Sequence, residues 1–296
     1  MSLGALVPLT AMGLALALTA AVRPWLAPAA AARLLTLVAV SSALTVGWAL
    51  VLTVFGWAIA YPGVDNVAAW CTVATPGHHP VGTIVGLAAL AVLAVGTTRA
   101  VAAGFRFWRT DAAWRGSDPV EIIASPEPIA FAVPGGRGTV VVSTGLLGGL
   151  PRGQRDALLA HEHAHVRLHH HRYVRTARLA AHIVPALYPL ERWVALATER
   201  WADEEAAASV GDRRIVADAL VSAASMQMPG NSGLLFASAS HLEERVGALL
   251  APRPEGPALT RVAFVAAWAS LAVSLVSSVV ELHHLVAFVQ HICTGN

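Results

Sequence analysis

Apolar residues fall along this chain in two ways. Up to about residue 103, and again after about 257, they run almost continuously; between about 104 and 256 they recur periodically among acidic and basic side chains. The continuous stretches are Leu3–Val22, Leu34–Ala60, Pro80–Thr98 and Val262–Val280. Each is close to the ~20 apolar residues needed to cross a hydrocarbon core of about 30 Å. They predict three transmembrane helices in residues 1–103 and a fourth, with a short outer tail, in 257–296. A cleaved signal peptide would carry its basic residues ahead of the first stretch, whereas Arg23 follows it.

The central region reads as a small α+β domain within a mainly α membrane protein. Ile129–Val133 and Thr139–Ser143 have strand character and flank a Pro134-Gly135-Gly136-Arg137 turn, which predicts a β-hairpin. Pro151 then opens a helix expected to run unbroken from Arg152 to Arg172. Ala177–Leu190 is apolar, interrupted by Pro185 and Pro189, and too short to span. It is expected to lie in the membrane interface or re-enter it, with a soluble core helix as the alternative. Helical patterns resume over Glu191–Val210 and Arg213–Met226, and a last helix carries His241-Leu-Glu-Glu-Arg245.

Charge gives the spans a direction. Arg23 and Arg33 flank the first short loop, Tyr61–His79 contains no basic residue, and Arg99, Arg106, Arg109 and Arg115 follow the third span. By the positive-inside rule both termini lie outside and residues 104–256 face the cytoplasm. Cys71 and Cys293 then share the oxidising side, where a disulfide between them would tie the third and fourth spans. The composition agrees with a membrane protein: 56% of residues are hydrophobic and only 13% charged, against roughly 25% charged in soluble domains. A net charge of +2 gives no reason to expect direct nucleic-acid binding. Two cysteines cannot build a four-cysteine zinc site.

The chemistry concentrates at His161-Glu162-His163-Ala164-His165. On a helix, positions i and i+4 share a face, so His161 and His165 can hold one metal ion. Glu162 stands beside them, placed to take a proton from water and return it to a leaving amine. Catalytic zinc needs a third protein ligand and an open position. Spacing leaves two candidates. His171 stands where a third histidine follows in H-E-x-x-H-x-x-G-x-x-H, but that pattern turns the chain at a glycine, and this chain has Leu168. Glu199 lies on a later helix with Asp203 at i+4, where Asp203 could accept a hydrogen bond from a ligand histidine. His169–His171 reads as an exposed or interfacial helix end.

The segments Phe131-Ala-Val-Pro-Gly-Gly136, Val142-Ser-Thr-Gly-Leu-Leu147 and Ala157-Leu-Leu-Ala-His-Glu-His-Ala-His-Val166 resemble the gluzincin membrane peptidases. These include the sensor-transducer (BlaR/MecR-like) peptidases of β-lactam and methicillin resistance, and the HtpX-like and prenyl-protein endopeptidases. The resemblance implies one catalytic Zn²⁺, with the third ligand in an E-x-x-x-D helix that Glu199-Arg-Trp-Ala-Asp203 matches. It also implies a bacterial cytoplasmic membrane and a cytoplasmic protein substrate. In the sensor-transducer group, which three spans before the domain fit better, that substrate is a winged-helix transcriptional repressor. In the HtpX-like group the role is quality control of membrane proteins. No penicillin-binding domain follows the fourth span, so a signal is expected through the outer loop, the spans or a partner.

Thr139-Val140-Val141-Val142-Ser143, or its hairpin partner, is expected to offer an edge to which an extended substrate adds as a strand. Arg245 or His241 is a candidate for orienting substrate or stabilising an oxyanion, unless Arg245 merely pairs with Glu243 or Glu244. A different class of function, a non-catalytic metal sensor or transporter, would use the thirteen histidines, with Glu281, His283 and His284 near the fourth span.

Overall fold

The computed structural model describes residues 6–59, 82–113, 119–133, 138–227 and 235–252, with part of 258–280. The chain opens with three apolar helices, α1 (Leu6–Val22), α2 (Pro28–Ile59) and α3 (Thr83–Ala113). Among the described residues, α2 and α3 are long and apolar enough to cross a membrane. Four such helices were expected. However, α1 has 17 residues, and the last apolar segment is described as a short helix, Arg261–Ser270.

α2 is 32 residues long, about 48 Å at 1.5 Å per residue, and divides into two halves. Ala31, Ala32, Leu34, Leu35, Val38 and Ala39 are buried in a core shared with the domain that follows. Leu44, Val51 and Phe55 are exposed, as are Ile84, Val92, Val95 and Val101 of α3. Large apolar side chains that line one end of a helix pair and meet no protein are suited to lipid rather than water. Gly86 lets the two helices approach, since a Cβ there would sit 2.1 Å from the Trp57 ring.

The domain begins with a three-stranded sheet. β1 (Val120–Ile123), β2 (Ala130–Val133) and β3 (Thr139–Ser143) stand in the order β1-β3-β2. β2 and β3 form the antiparallel hairpin, and β1 runs parallel to β3 with Val120 opposite Val140. Local alternation did not reveal β1, because a parallel partner is selected by distant chain and not by an adjoining turn. Its presence corrects the expected substrate strand. Thr139, Val140, Val141, Val142 and Ser143 are all buried in the central strand, paired on both sides. Among the described residues, the sheet's two outer edges belong to β1 and β2, and of the hairpin strands only β2 has one.

Ser143 ends β3 and caps α4 (Thr144–Gly149), its hydroxyl accepting from the Leu146 amide. The expected unbroken helix is two helices, α5 (Arg152–Arg167) and α6 (His170–Ile183). Between them His169 takes a left-handed conformation, φ 55° and ψ 41°. Its Nδ1 lies 2.8 Å from the Val166 carbonyl, a local hydrogen bond that offsets some of the strain of that backbone.

Ala177–Leu190, expected at the membrane interface, is instead the end of α6, a 3-10 turn at Pro185–Leu187 and the start of α7 (Tyr188–Val210). Ala177, Ala180, Ala181, Leu187 and Leu190 are buried against α2. A fork from Arg175 onto Asp111, at 2.5 and 2.7 Å, ties α6 to the end of α3. Gly211, at φ 80°, stops α7 in the left-handed cap that glycine adopts without strain. α8 (Arg213–Gln227) and α9 (Leu235–Leu250) close a second core over α5 and α7, built around Ala157, Ala206, Val216 and Leu249.

Candidate metal centre

α5 and α7 lie side by side and set the site between them. His161 and His165 occupy one face of α5, and Glu199 and Asp203 occupy the facing side of α7. Ligand atoms of His161, His165 and Glu199 all lie within 4.8 Å of one another. The Nε2 atoms of the two histidines are 3.1 Å apart, and each is 3.5 Å from a Glu199 carboxylate oxygen. Two imidazole nitrogens and one carboxylate form a donor set that suits zinc. His171 is not in this group; among the described residues no other His, Cys, Asp or Glu joins it.

Behind His161 stands Asp203, 1% exposed, with Oδ1 2.9 Å from the imidazole Nδ1. Arg245 of α9 forks onto both Asp203 oxygens at 2.7 and 2.8 Å. Its remaining nitrogen lies 3.1 Å from Glu199. This corrects the expected surface ion pair of Arg245. Its guanidinium engages the two site carboxylates, and its partner is neither Glu243 nor Glu244. His241 is exposed on α9 and is not drawn into the cluster.

Behind His165 stands His170, which sequence reasoning placed on an exposed helix end. It is 1% exposed, and its Nδ1 lies 3.1 Å from Nδ1 of His165. Its ring packs 4.8 Å from the Trp201 indole. Only the break at Leu168–His169 allows this, since five residues along a straight helix is a rotation of about 140°. The three consecutive histidines were the one available signal, and the break that selects the middle one was not legible.

The electrostatics differ between the ligands. Burial presses the His161 imidazole down, but Asp203 and Glu199 outweigh it and hold it up at about 10. Burial lowers His165 to about 4 and His170 to about 3, against the weaker pull of Glu199. Although burial raises them, Glu199 and Asp203 lie below the ordinary carboxylate range, Glu199 chiefly through His161 and Asp203 chiefly through Arg245. Burial, helped by the Glu199 charge, raises Glu162, the direction that suits a general base near neutral pH.

Glu162 also meets the sheet, because the Ala132 amide donates to it. The register explains how. The Val140 amide donates to Pro119, on the β1 side. Its antiparallel partner Ala132 therefore turns its amide away from β3. The outer edge of β2 thus faces the glutamate.

His161, His165 and Glu199 could hold a metal ion, with the half-buried Glu162 carboxylate beside them, an arrangement of the kind that hydrolytic enzymes use. Residues 110–254, from the end of α3 to just beyond α9, match peptidase family M48. This match supports a metal-dependent peptidase function for that region. Comparisons with curated proteins and with solved structures return no match. Cys71, Cys293, the 134–137 turn, Glu281, His283 and His284 lie outside the described residues.

Proposed function

We propose that this protein is a membrane-embedded, zinc-dependent endopeptidase that cuts a cytoplasmic protein. The observation that carries the reading is the convergence of His161, His165 and Glu199 within 4.8 Å, next to a half-buried Glu162. When bound, zinc would supply a Lewis acid that acidifies water and polarises a peptide carbonyl. Glu162, its carboxyl raised by burial, takes a proton from the attacking water and delivers it to the leaving amine. Asp203 accepts from Nδ1 of His161, so Nε2 is the nitrogen offered as ligand. Arg245 holds Asp203 and Glu199 in place. An extended peptide adding to the outer edge of β2 would bring a backbone carbonyl past Glu162.

The substrate by resemblance is a transcriptional repressor of the winged-helix kind, cut by a relative of the sensor-transducer peptidases in a bacterial cytoplasmic membrane. The chain would cross that membrane four times, with both termini outside. A second reading, quality control of membrane proteins, is favoured by the direct packing of α2 on α7, the helix that bears Glu199. That packing keeps the centre close to the bilayer. A survey of new protein termini in cells carrying wild type or Glu162→Gln separates these. One or a few termini in a soluble regulator support the first reading, and many in membrane proteins support the second. Identical termini in both cell lines would refute the peptidase.

A further inference from the structure

His165 faces Glu199 and His161 through Nε2. A neutral imidazole that ligates through Nε2 carries its proton on Nδ1, and in a buried site that N–H needs an acceptor. The atom before it is Nδ1 of His170, at 3.1 Å. Two unprotonated nitrogens would repel at that distance, as would two N–H groups. One must donate, and the ligating tautomer of His165 decides which. His170 then carries its own proton on Nε2, which is buried and has no partner among the described residues. Leaving a buried N–H unpaired is unfavourable, so the arrangement is held from elsewhere.

What holds it is visible on both sides. The backbone supplies the left-handed His169, a conformation with its own cost, which swings His170 back beneath His165. Trp201, two residues past Glu199 on α7, packs on the His170 ring. The Arg33 guanidinium of α2 in turn lies 5.0 Å from the Trp201 ring. Among the described residues α2 is one of two helices long and apolar enough to cross a membrane, so a continuous stack runs from it to a candidate metal ligand.

We propose that His170 is a positioning residue for the metal: by accepting from Nδ1–H of His165 it fixes the tautomer that presents Nε2, and Trp201 fixes the plane of its ring. The inference rests on the reading of His161, His165 and Glu199 as a metal site. A neutral acceptor suits this flank. A carboxylate here would have to be buried against Trp201 and the core beneath α2, with no equivalent of the Arg245 fork that Asp203 has.

The test uses full-length, detergent-solubilised protein stripped of metal. Zinc affinity is measured by competition with a chromophoric chelator, and thermal unfolding of the metal-free form is followed in parallel. His170→Leu removes the acceptor and is expected to weaken zinc binding by roughly 10–100-fold. His170→Asn places an acceptor oxygen near the Nδ1 position and is expected to recover affinity to within about threefold of wild type. A packing role predicts the opposite order, since leucine fills an apolar site better than asparagine. Equal zinc affinity in wild type and His170→Leu, or an asparagine variant no better than the leucine one, overturns the inference alone. A wild type that takes up no zinc overturns the metal site and the inference together.

Discussion

The two candidate ligand histidines, one helical turn apart on α5, are backed by opposite chemistry. His161 has a buried carboxylate behind it, itself gripped by Arg245. His165 has a neutral imidazole behind it and an indole behind that. The first flank faces α9 and the charged interior of the domain. The second faces the core shared with α2. Burial acts on both rings, yet His161 is held near 10 and His165 near 4. The difference teaches that a ligand's partner is chosen by what can be buried beside it. An ion pair survives where an arginine completes it, and an aromatic stack serves where the neighbour is an apolar helix.

The comparison breaks most completely if the ligands themselves are removed. His161→Ala and His165→Ala should each abolish stoichiometric zinc by elemental analysis and leave no measurable peptidase activity. Retention of zinc by either variant would show that the metal is held elsewhere. Glu162→Gln lies between the two flanks and should spare both. It is expected to keep zinc while losing about 10²–10⁴-fold in turnover, and normal turnover would remove Glu162 from the mechanism.

Asp203→Ala attacks the charged flank alone. It leaves Arg245 without its fork and frees Nδ1 of His161, so we expect roughly 10–100-fold weaker zinc binding. The metal-free fold should lose about 3–5 kcal/mol in denaturant unfolding, because a buried charge loses its partner. Asp203→Ala with unchanged stability would mean the Arg245 fork carries no net energy.

The two flanks should also separate along pH in metal-free protein. A histidine held at about 10, above its unfolded value near 6.5, contributes stability that is complete below pH 6.5 and is lost as pH rises through 10. A histidine held at about 4 stays neutral in the fold, so its contribution is lost as pH falls from 6.5 through 4. The lowered Asp203 and Glu199 add to the loss on the acid side. The unfolding temperature should therefore peak near pH 6.5, and Asp203→Asn should flatten the alkaline limb specifically. A wild-type unfolding temperature that climbs from pH 6.5 to 10 contradicts the charged flank. The smallest effect belongs to His241, exposed on α9. His241→Ala should change kcat/KM by less than about twofold, in line with surface substitutions generally.

Much of the centre could be read along the chain because it depends on helical spacing. His161 with His165, and Glu199 with Asp203, are each four residues apart, and a helix puts such pairs on one face whatever surrounds it. The hairpin was legible for a similar reason, since its strands flank a local turn signal. β1 was not, because its partner is the second strand of that hairpin, paired in parallel across the intervening β2 segment. The separate helices α5 and α6 were not either. Leu168 and His169 carry no glycine or proline to announce a break, and the bend is selected by what His170 gains on arrival.

By itself the sequence determined which residues could be chemical: the H-E-x-x-H pair, the glutamate between them, the later Glu199–Asp203 step and the apolar runs long enough for lipid. Those follow from periodicity and side-chain type. Only the tertiary structure decided which side chains stand behind each ligand, which strand edge is open, and that the first half of α2 belongs to the core of the domain. Each of these depends on two distant stretches of chain competing for the same buried volume, and no local pattern records the outcome of that competition.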